Sequence, residues 1–200
     1  MATSFIETVN TFVKFFFLLT PFFGLSMFLA MTRELPESER KRLALRVAVA
    51  VWIVCFVFFL SGKYLFQVFG ITLDAFRIGT GTLLFITAIG LAQGKEAEVD
   101  AAEKNDFVVV PLAVPIIAGP ATLGTLLVIS AETPSWTSRA FAFVTLSFAI
   151  VAMGTLLYLA ASLERLLSKR GILILSKLTG LVLSALAAQM IFTGVADFIR

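Results

Sequence analysis

The sequence predicts an all-α, polytopic membrane fold: six transmembrane helices in two inverted three-helix repeats, with spans 1 and 4 broken or kinked. Three observations predict it. Of 200 residues 59% are hydrophobic, 21 are Phe and only 14% are charged, with a mean hydropathy of +0.98, far from the balance of a soluble domain. Apolar stretches of about 20 residues, the length that crosses a bilayer as a helix, recur six times, at about residues 5–31, 44–66, 73–93, 108–130, 139–161 and 173–198. Proline and glycine interrupt the first and the fourth of them. The connections are too short to fold independently, so residues 1–200 form a single integral membrane domain, with repeat one at about 5–93 and repeat two at about 108–198.

Span 1 has no Lys or Arg before its apolar run except Lys14 inside it, so it is expected to be a retained span rather than a cleaved signal. Lys14 here and Asp197 in span 6 flank apolar sequence and are expected to snorkel to the interface. Midway lies Thr20-Pro21-Phe22-Phe23-Gly24. Pro36 with residues 37–42 reads as a short amphipathic turn entering span 2. Span 3 opens with Arg77-Ile78-Gly79-Thr80-Gly81 and closes with Gly90-x-x-x-Gly94, a small-residue packing motif. Glu96, Glu98, Asp100 and Glu103 read as a solvated loop, and Asn105-Asp106 as a cap for span 4.

Span 4 holds Val110 to Thr122, with Pro111, Pro115 and Gly119-Pro120 inside an apolar run. Each proline lacks a backbone donor and crowds the carbonyl four residues earlier, so one uninterrupted helix is not expected. Broken backbone at membrane depth persists only where protein or a water-filled cavity satisfies the freed groups. This makes the stretch the first candidate for a binding site. Thr133-Pro134-Ser135 separates spans 4 and 5. Span 6 begins with Lys177-Leu178-Thr179-Gly180, carries Gly180-x-x-x-Ser184 and holds Gln189 deep in its apolar part, as interhelical glue or as a ligand.

Thr20-Pro21-Phe22-Phe23-Gly24 echoes Pro115-Ile116-Ile117-Ala118-Gly119-Pro120, and the Arg77 segment loosely matches the Lys177 segment. Each half contains three spans, an odd number, so the second half enters the membrane from the opposite face. Corresponding Gly/Pro-interrupted spans in inverted repeats point to a solute site at their interface. Half-helix N-termini there would offer N–H groups to a carboxylate, and freed carbonyls would accept from an ammonium or coordinate Na⁺. The substrate-binding candidates are therefore Thr20, Pro21, Gly24, Pro115, Ala118, Gly119, Pro120, Thr122 and Gln189. Arg77 and Lys177 either snorkel or pair with a nearby carboxylate such as Asp74, or close the two ends of a central pathway. Thr80, Thr82, Thr122 and Thr125 read as helix contacts.

Composition narrows the function classes. The chain has no histidine and one cysteine, Cys55, which excludes a disulfide framework, Cys/His metal sites and a histidine base, so no enzyme, metal or cofactor is expected. No carboxylate lies near a span centre, against a buried proton relay, and no P-loop motif supports ATP-driven pumping. Secondary transport remains. The net charge of +3 records orientation rather than a nucleic-acid partner. Arg33, Arg40, Lys41, Arg42 and Arg46, then Lys95 and Lys104, then Arg165, Lys169, Arg170 and Lys177 fall on one side, which puts both termini outside the cytoplasm.

At Val110-Pro111-Leu112-Ala113-Val114-Pro115 followed by Ala118-Gly119-Pro120, the chain resembles the MarC family of six-span bacterial inner-membrane proteins. Phe69-Gly70-Ile71 with Arg77-Ile78-Gly79-Thr80-Gly81, and Lys177-Leu178-Thr179-Gly180 with Gln189, are similar to that family's span 3 and last span. The resemblance runs nearly end to end. It departs at Thr20, where the family usually has Asn before Pro21; Thr keeps a hydroxyl but loses an amide that both donates and accepts. The resemblance carries a multidrug-resistance label and implies, for some members, transport of small neutral amino acids. The expected function is thus a secondary transporter of small neutral amino acids or similar zwitterions in the bacterial inner membrane. The alternative is a non-transporting scaffold, regulatory or lipid-handling membrane protein. Expected partners are the lipid bilayer and the solute, with homo-oligomerisation left open by the small-residue motifs.

Overall fold

The computed structural model describes residues 5–32, 35–94, 113, 117–133 and 135–199. These form α1 (Phe5–Leu18), α2 (Pro21–Met31), α3 (Glu37–Phe69), α4 (Leu73–Gln93), α5 (Pro120–Glu132), α6 (Trp136–Tyr158) and α7 (Ala160–Ile199). Among the described residues, five segments are long and apolar enough to cross a membrane: α1 with α2 taken together, most of α3, α4, α6 and the C-terminal part of α7. The helix α5 is apolar but has 13 residues, roughly 20 Å, too short to span ~30 Å of hydrocarbon alone. The expected cap at Asn105-Asp106, the acidic run and Pro115 lie outside the described residues.

Helix ends follow local chemistry. The hydroxyls of Thr72 and Ser135 accept from the N–H groups of Ala75 and Ser138 and so cap α4 and α6. Gly70 and Gly94, with φ of 62° and 73°, end α3 and α4 in the left-handed conformation that glycine adopts without a steric penalty. The predicted turn at 37–42 is the first stretch of α3, where Glu37 pairs with Lys41 at 2.7 Å. With 33 residues, roughly 50 Å, α3 outruns the bilayer at this basic end. Inside α7, Ser168 (φ 56°, ψ 165°) breaks helical geometry and separates residues 160–167 from the long final span.

The broken segments occupy the middle of the bundle. Within α5 every residue from Ala121 to Val128 is buried, whereas α3 turns Leu45, Val49, Ile53 and Val57 outward, where lipid covers them. Helix α3 packs on α5 and α6, α1 on α6, α2 on α7, and α5 on α4. Ser130 donates to the Phe59 carbonyl to tie α5 to α3, while Trp52 stacks on Phe56 and donates to Ser147 of α6 at 3.1 Å. The most extensive contact is the antiparallel pair of α4 and the C-terminal part of α7. Glycines on both helices allow it: a Cβ on Gly180 would lie 2.7 Å from both the Ala88 carbonyl oxygen and the Ala92 nitrogen, and one on Gly81 would lie 2.8 Å from Ile191. The Gly90-x-x-x-Gly94 motif does not act this way, because Gly90 faces open space. Gly194 takes its place, with a would-be Cβ 3.0 Å from the Asp74 carbonyl.

Candidate functional site

The two interruptions meet. Span 1 breaks between Leu18 and Pro21, and Thr20 sits there with φ 48° and ψ 55°, a left-handed conformation that costs a β-branched residue about 1–3 kcal/mol. Pro21 supplies no N–H, so the Thr20 amide turns back to the Phe17 carbonyl at 2.9 Å. The Leu18 carbonyl is satisfied from the other break, since the Thr122 hydroxyl donates to it at 3.0 Å. On the second segment the Ala118 N–H reaches the Ala113 carbonyl at 2.9 Å, five residues back, in a widened turn that ends before Gly119-Pro120 restarts the chain as α5. A Cβ on Gly24 would lie 3.0 Å from Ile117 Cγ1 and 2.6 Å from Met153 Cε, so only glycine lets α2 approach this second break.

Neither half-helix is capped by a side chain: Thr20 before α2 and Gly119 before α5 make no such bond. Thr20 is only 5% exposed, and among the described residues its hydroxyl has no hydrogen-bond partner. A buried hydroxyl left unpaired is costly. Here it stands at the start of a helix whose first N–H groups are also unclaimed by any cap, in the region where the two breaks cross.

A cavity of about 240 Å³ lies beside the crossing, walled by α1, α4, α5 and α7. Along α5 its wall runs from Thr125 to Glu132, seven residues or about 10 Å. Leu18 and Thr125 line its deeper part, the latter one helical turn beyond Thr122. Leu84, Val128, Leu186 and Met190 make the sides apolar, and Gln189, Thr193 and Lys14 add polar groups. Such a volume lies below the ~300 Å³ at which drug-sized ligand pockets begin, so it suits a solute of few heavy atoms.

Arg77 forms the charged end of this cavity. It is buried, 7% exposed, and its guanidinium joins three helices: Nη1 lies 3.3 Å from Asp74 and 2.9 Å from Asp197 of α7, while Nη2 bonds Glu132 of α5. The planar fork makes these contacts in two directions at once, as a lysine ammonium would not. Three carboxylates to one guanidinium leave both an anion-binding and a cation-binding group facing the same space, since Arg77 and Glu132 both line the cavity.

The predicted site residues thus divide. Thr20, Pro21, Gly24, Ala118 and Thr122 are buried around the crossing, Gly119 is half-buried and Pro120 exposed. Gln189 lies on the cavity wall with Arg77. Lys177 is exposed at the opposite end of the bundle, where its stem lies across Gly94. Two readings change. Asp197, expected to snorkel, is an ion-pair partner of Arg77, and Lys14 reaches the cavity. Glu132 was not anticipated at all. The available signal was its position: Asp74, Glu132 and Asp197 all fall at span ends on one side of the membrane, the side on which Arg77's own helix starts.

Comparison with known proteins identifies the family. Residues 5–199 match the family model for MarC family integral membrane proteins. Among curated relatives, a UPF0056 membrane protein of Aquifex aeolicus is 28% identical over 96% of this chain and 94% of its own length. One from Methanocaldococcus jannaschii is 30% identical over 94% of this chain and 95% of its own, and the UPF0056 membrane protein YhcE of Escherichia coli is 29% identical over 92% and 89%. No solved structure matches the chain. A helical, membrane-spanning chain that the family model covers almost end to end, from residue 5 to 199, belongs to the MarC family of integral membrane proteins.

Proposed function

We propose that this chain is a secondary transporter of small zwitterionic solutes, neutral amino acids foremost, across the bacterial inner membrane, and that it works as two inverted three-helix repeats. The observation that carries the reading is the cavity, which holds an Arg77–Glu132 ion pair at one end and reaches Leu18, where span 1 breaks, at the other. An amino acid presents a carboxylate and an ammonium, and the pair offers a partner for each. The small apolar middle suits a short side chain.

The repeat reading is supported by register and packing. One fixed offset carries Thr20-Pro21 onto Gly119-Pro120 and Thr80-Gly81 onto Thr179-Gly180. The same offset carries α2 onto α5 and α4 onto α7, and the packing of α2 on α7 has its counterpart in that of α5 on α4. In this frame both termini lie outside the cytoplasm, the Arg77 end is extracytoplasmic, and the conformation is open to that side. Helix starts at mid-membrane, with the unpaired Thr20 hydroxyl, would receive the solute's carboxylate below the cavity. Rocking of one repeat against the other would then pass it across.

The test is counterflow of labelled glycine, alanine and serine in proteoliposomes. Flux that is lost on Gly119→Leu and Gln189→Leu, with the protein still folded, supports the site. A folded, monodisperse protein that moves none of the three, or that co-purifies with a stoichiometric partner and shows no flux, removes the transport reading.

A further inference from the structure

We infer that the molecule carries a second vestibule at the Lys177 end, shut in this conformation, which serves as the exit on the opposite face of the membrane. This rests on the transport reading above and adds to it where the pathway leaves the protein. The offset that superposes the two breaks also carries three of the residues that line the open cavity onto a particular set: Thr125 onto Ser26, Met190 onto Leu91 and Arg77 onto Ser176. These three residues line one crevice, together with Gly94, between α2, the end of α4 and α7. Sequence register and three-dimensional grouping therefore single out the same place independently.

The two places differ in what fills them. The open one holds about 240 Å³ and the other about 10 Å³, which is at the limit for a single water molecule. Phe23 and Met27 of α2 close it from one side. Lys177 closes it from the other, because its Cε lies 2.9 Å from where a Cβ on Gly94 would stand, so the lysine stem runs directly over the end of α4. Ser176 is 4% exposed, a buried hydroxyl-bearing residue that shares with Ser26 a seam whose other side chains are apolar. Hydroxyls at 26 and 176 suit a wall that is wet for part of a cycle. Arg77 and Lys177 then hold parallel places, one at the mouth of the open vestibule and one across the shut one. They reach them differently: Arg77 is bound by carboxylates of three helices, while Lys177 lies with its stem over a glycine.

The experiment places single thiols in a Cys55→Ala background, at Ser26→Cys and Ser176→Cys for the shut vestibule and Thr193→Cys for the open one. A membrane-impermeant maleimide is applied to vesicles of each orientation. The expected result is prompt labelling of position 193 from the Arg77 face, and slow labelling of 26 and 176 from the Lys177 face only. Adding Lys177→Ala, which removes the stem over Gly94, speeds labelling at 26 and 176 at least fivefold without any solute present. Labelling of 26 or 176 from the Arg77 face, no labelling in either background, or rates unaffected by Lys177→Ala each overturn the inference. Two thiol positions guard against one variant failing to fold. Glycine counterflow measured in the same vesicles separates the two readings: flux without vestibule labelling sinks this inference alone, and the expected labelling without flux sinks the transport reading alone.

Discussion

Replacing Gly180 by alanine tests the packing argument at its most quantitative point. The added Cβ would stand 2.7 Å from the Ala88 carbonyl oxygen, 2.7 Å from the Ala92 nitrogen and 3.0 Å from the Leu91 Cβ. A carbon normally rests ~3.3–3.6 Å from a carbonyl oxygen, and the obstructing atoms are backbone, so no rotamer change relieves the contact. The helices α4 and α7 must separate along the longest interface in the bundle. Overpacking of this kind costs about 1–3 kcal/mol; at about 2 kcal/mol, and ~2–4 °C per kcal/mol for a chain of this size, the unfolding midpoint falls by about 4–8 °C. The control is Gly90→Ala on the partner helix α4, where a Cβ meets nothing within 4 Å. It removes a glycine from a helix interior and raises stability by up to ~1 kcal/mol. Thermal unfolding of both variants in one detergent, followed by loss of monodispersity, decides it. Equal midpoints for the two, or a larger fall for Gly90→Ala, would refute the claim that Gly180 and not the Gly90-x-x-x-Gly94 motif sets the helix contact.

Further outcomes are expected from the site. Thr122→Val keeps the shape but leaves the Leu18 carbonyl unpaired at the break, lowering stability by about 0.6–1.7 kcal/mol as measured by thermal unfolding, while Thr122→Ser retains most of it. Arg77→Lys cannot reach Glu132 and Asp197 together and costs about 1–3 kcal/mol; Glu132→Gln and Asp197→Asn each cost less, because Arg77 keeps two carboxylates. Gln189→Leu leaves the unfolding midpoint within about 2 °C, since an exposed surface substitution rarely exceeds ~0.5 kcal/mol, but reduces glycine counterflow at least tenfold. An unchanged flux would remove Gln189 from the site.

The sequence by itself determined that the chain is helical and membrane-spanning, because transfer of apolar residues into hydrocarbon is a local, additive property that a 20-residue window captures. It also determined that spans 1 and 4 are interrupted: the missing N–H of Pro21 and Pro120 is a covalent fact, and no packing restores it. Span 3 at 73–93 was legible to the residue, since Thr72 and Gly94 punctuate it with a cap and a left-handed turn. What only the tertiary structure decided is which groups meet across the bundle. Nothing in the spacing ties Thr122 to Leu18, or brings Glu132 and Asp197 to Arg77, because each of these contacts joins segments far apart in the chain whose rotation about their axes is set by side-chain packing; only Asp74, three residues before Arg77 on the same helix, was legible as its partner. The same holds for the glycines, since one such as Gly180 packs directly against a neighbouring helix while another, Gly90, faces open space. Composition names the groups available; the rotation of each helix within the bundle decides which of them face one another.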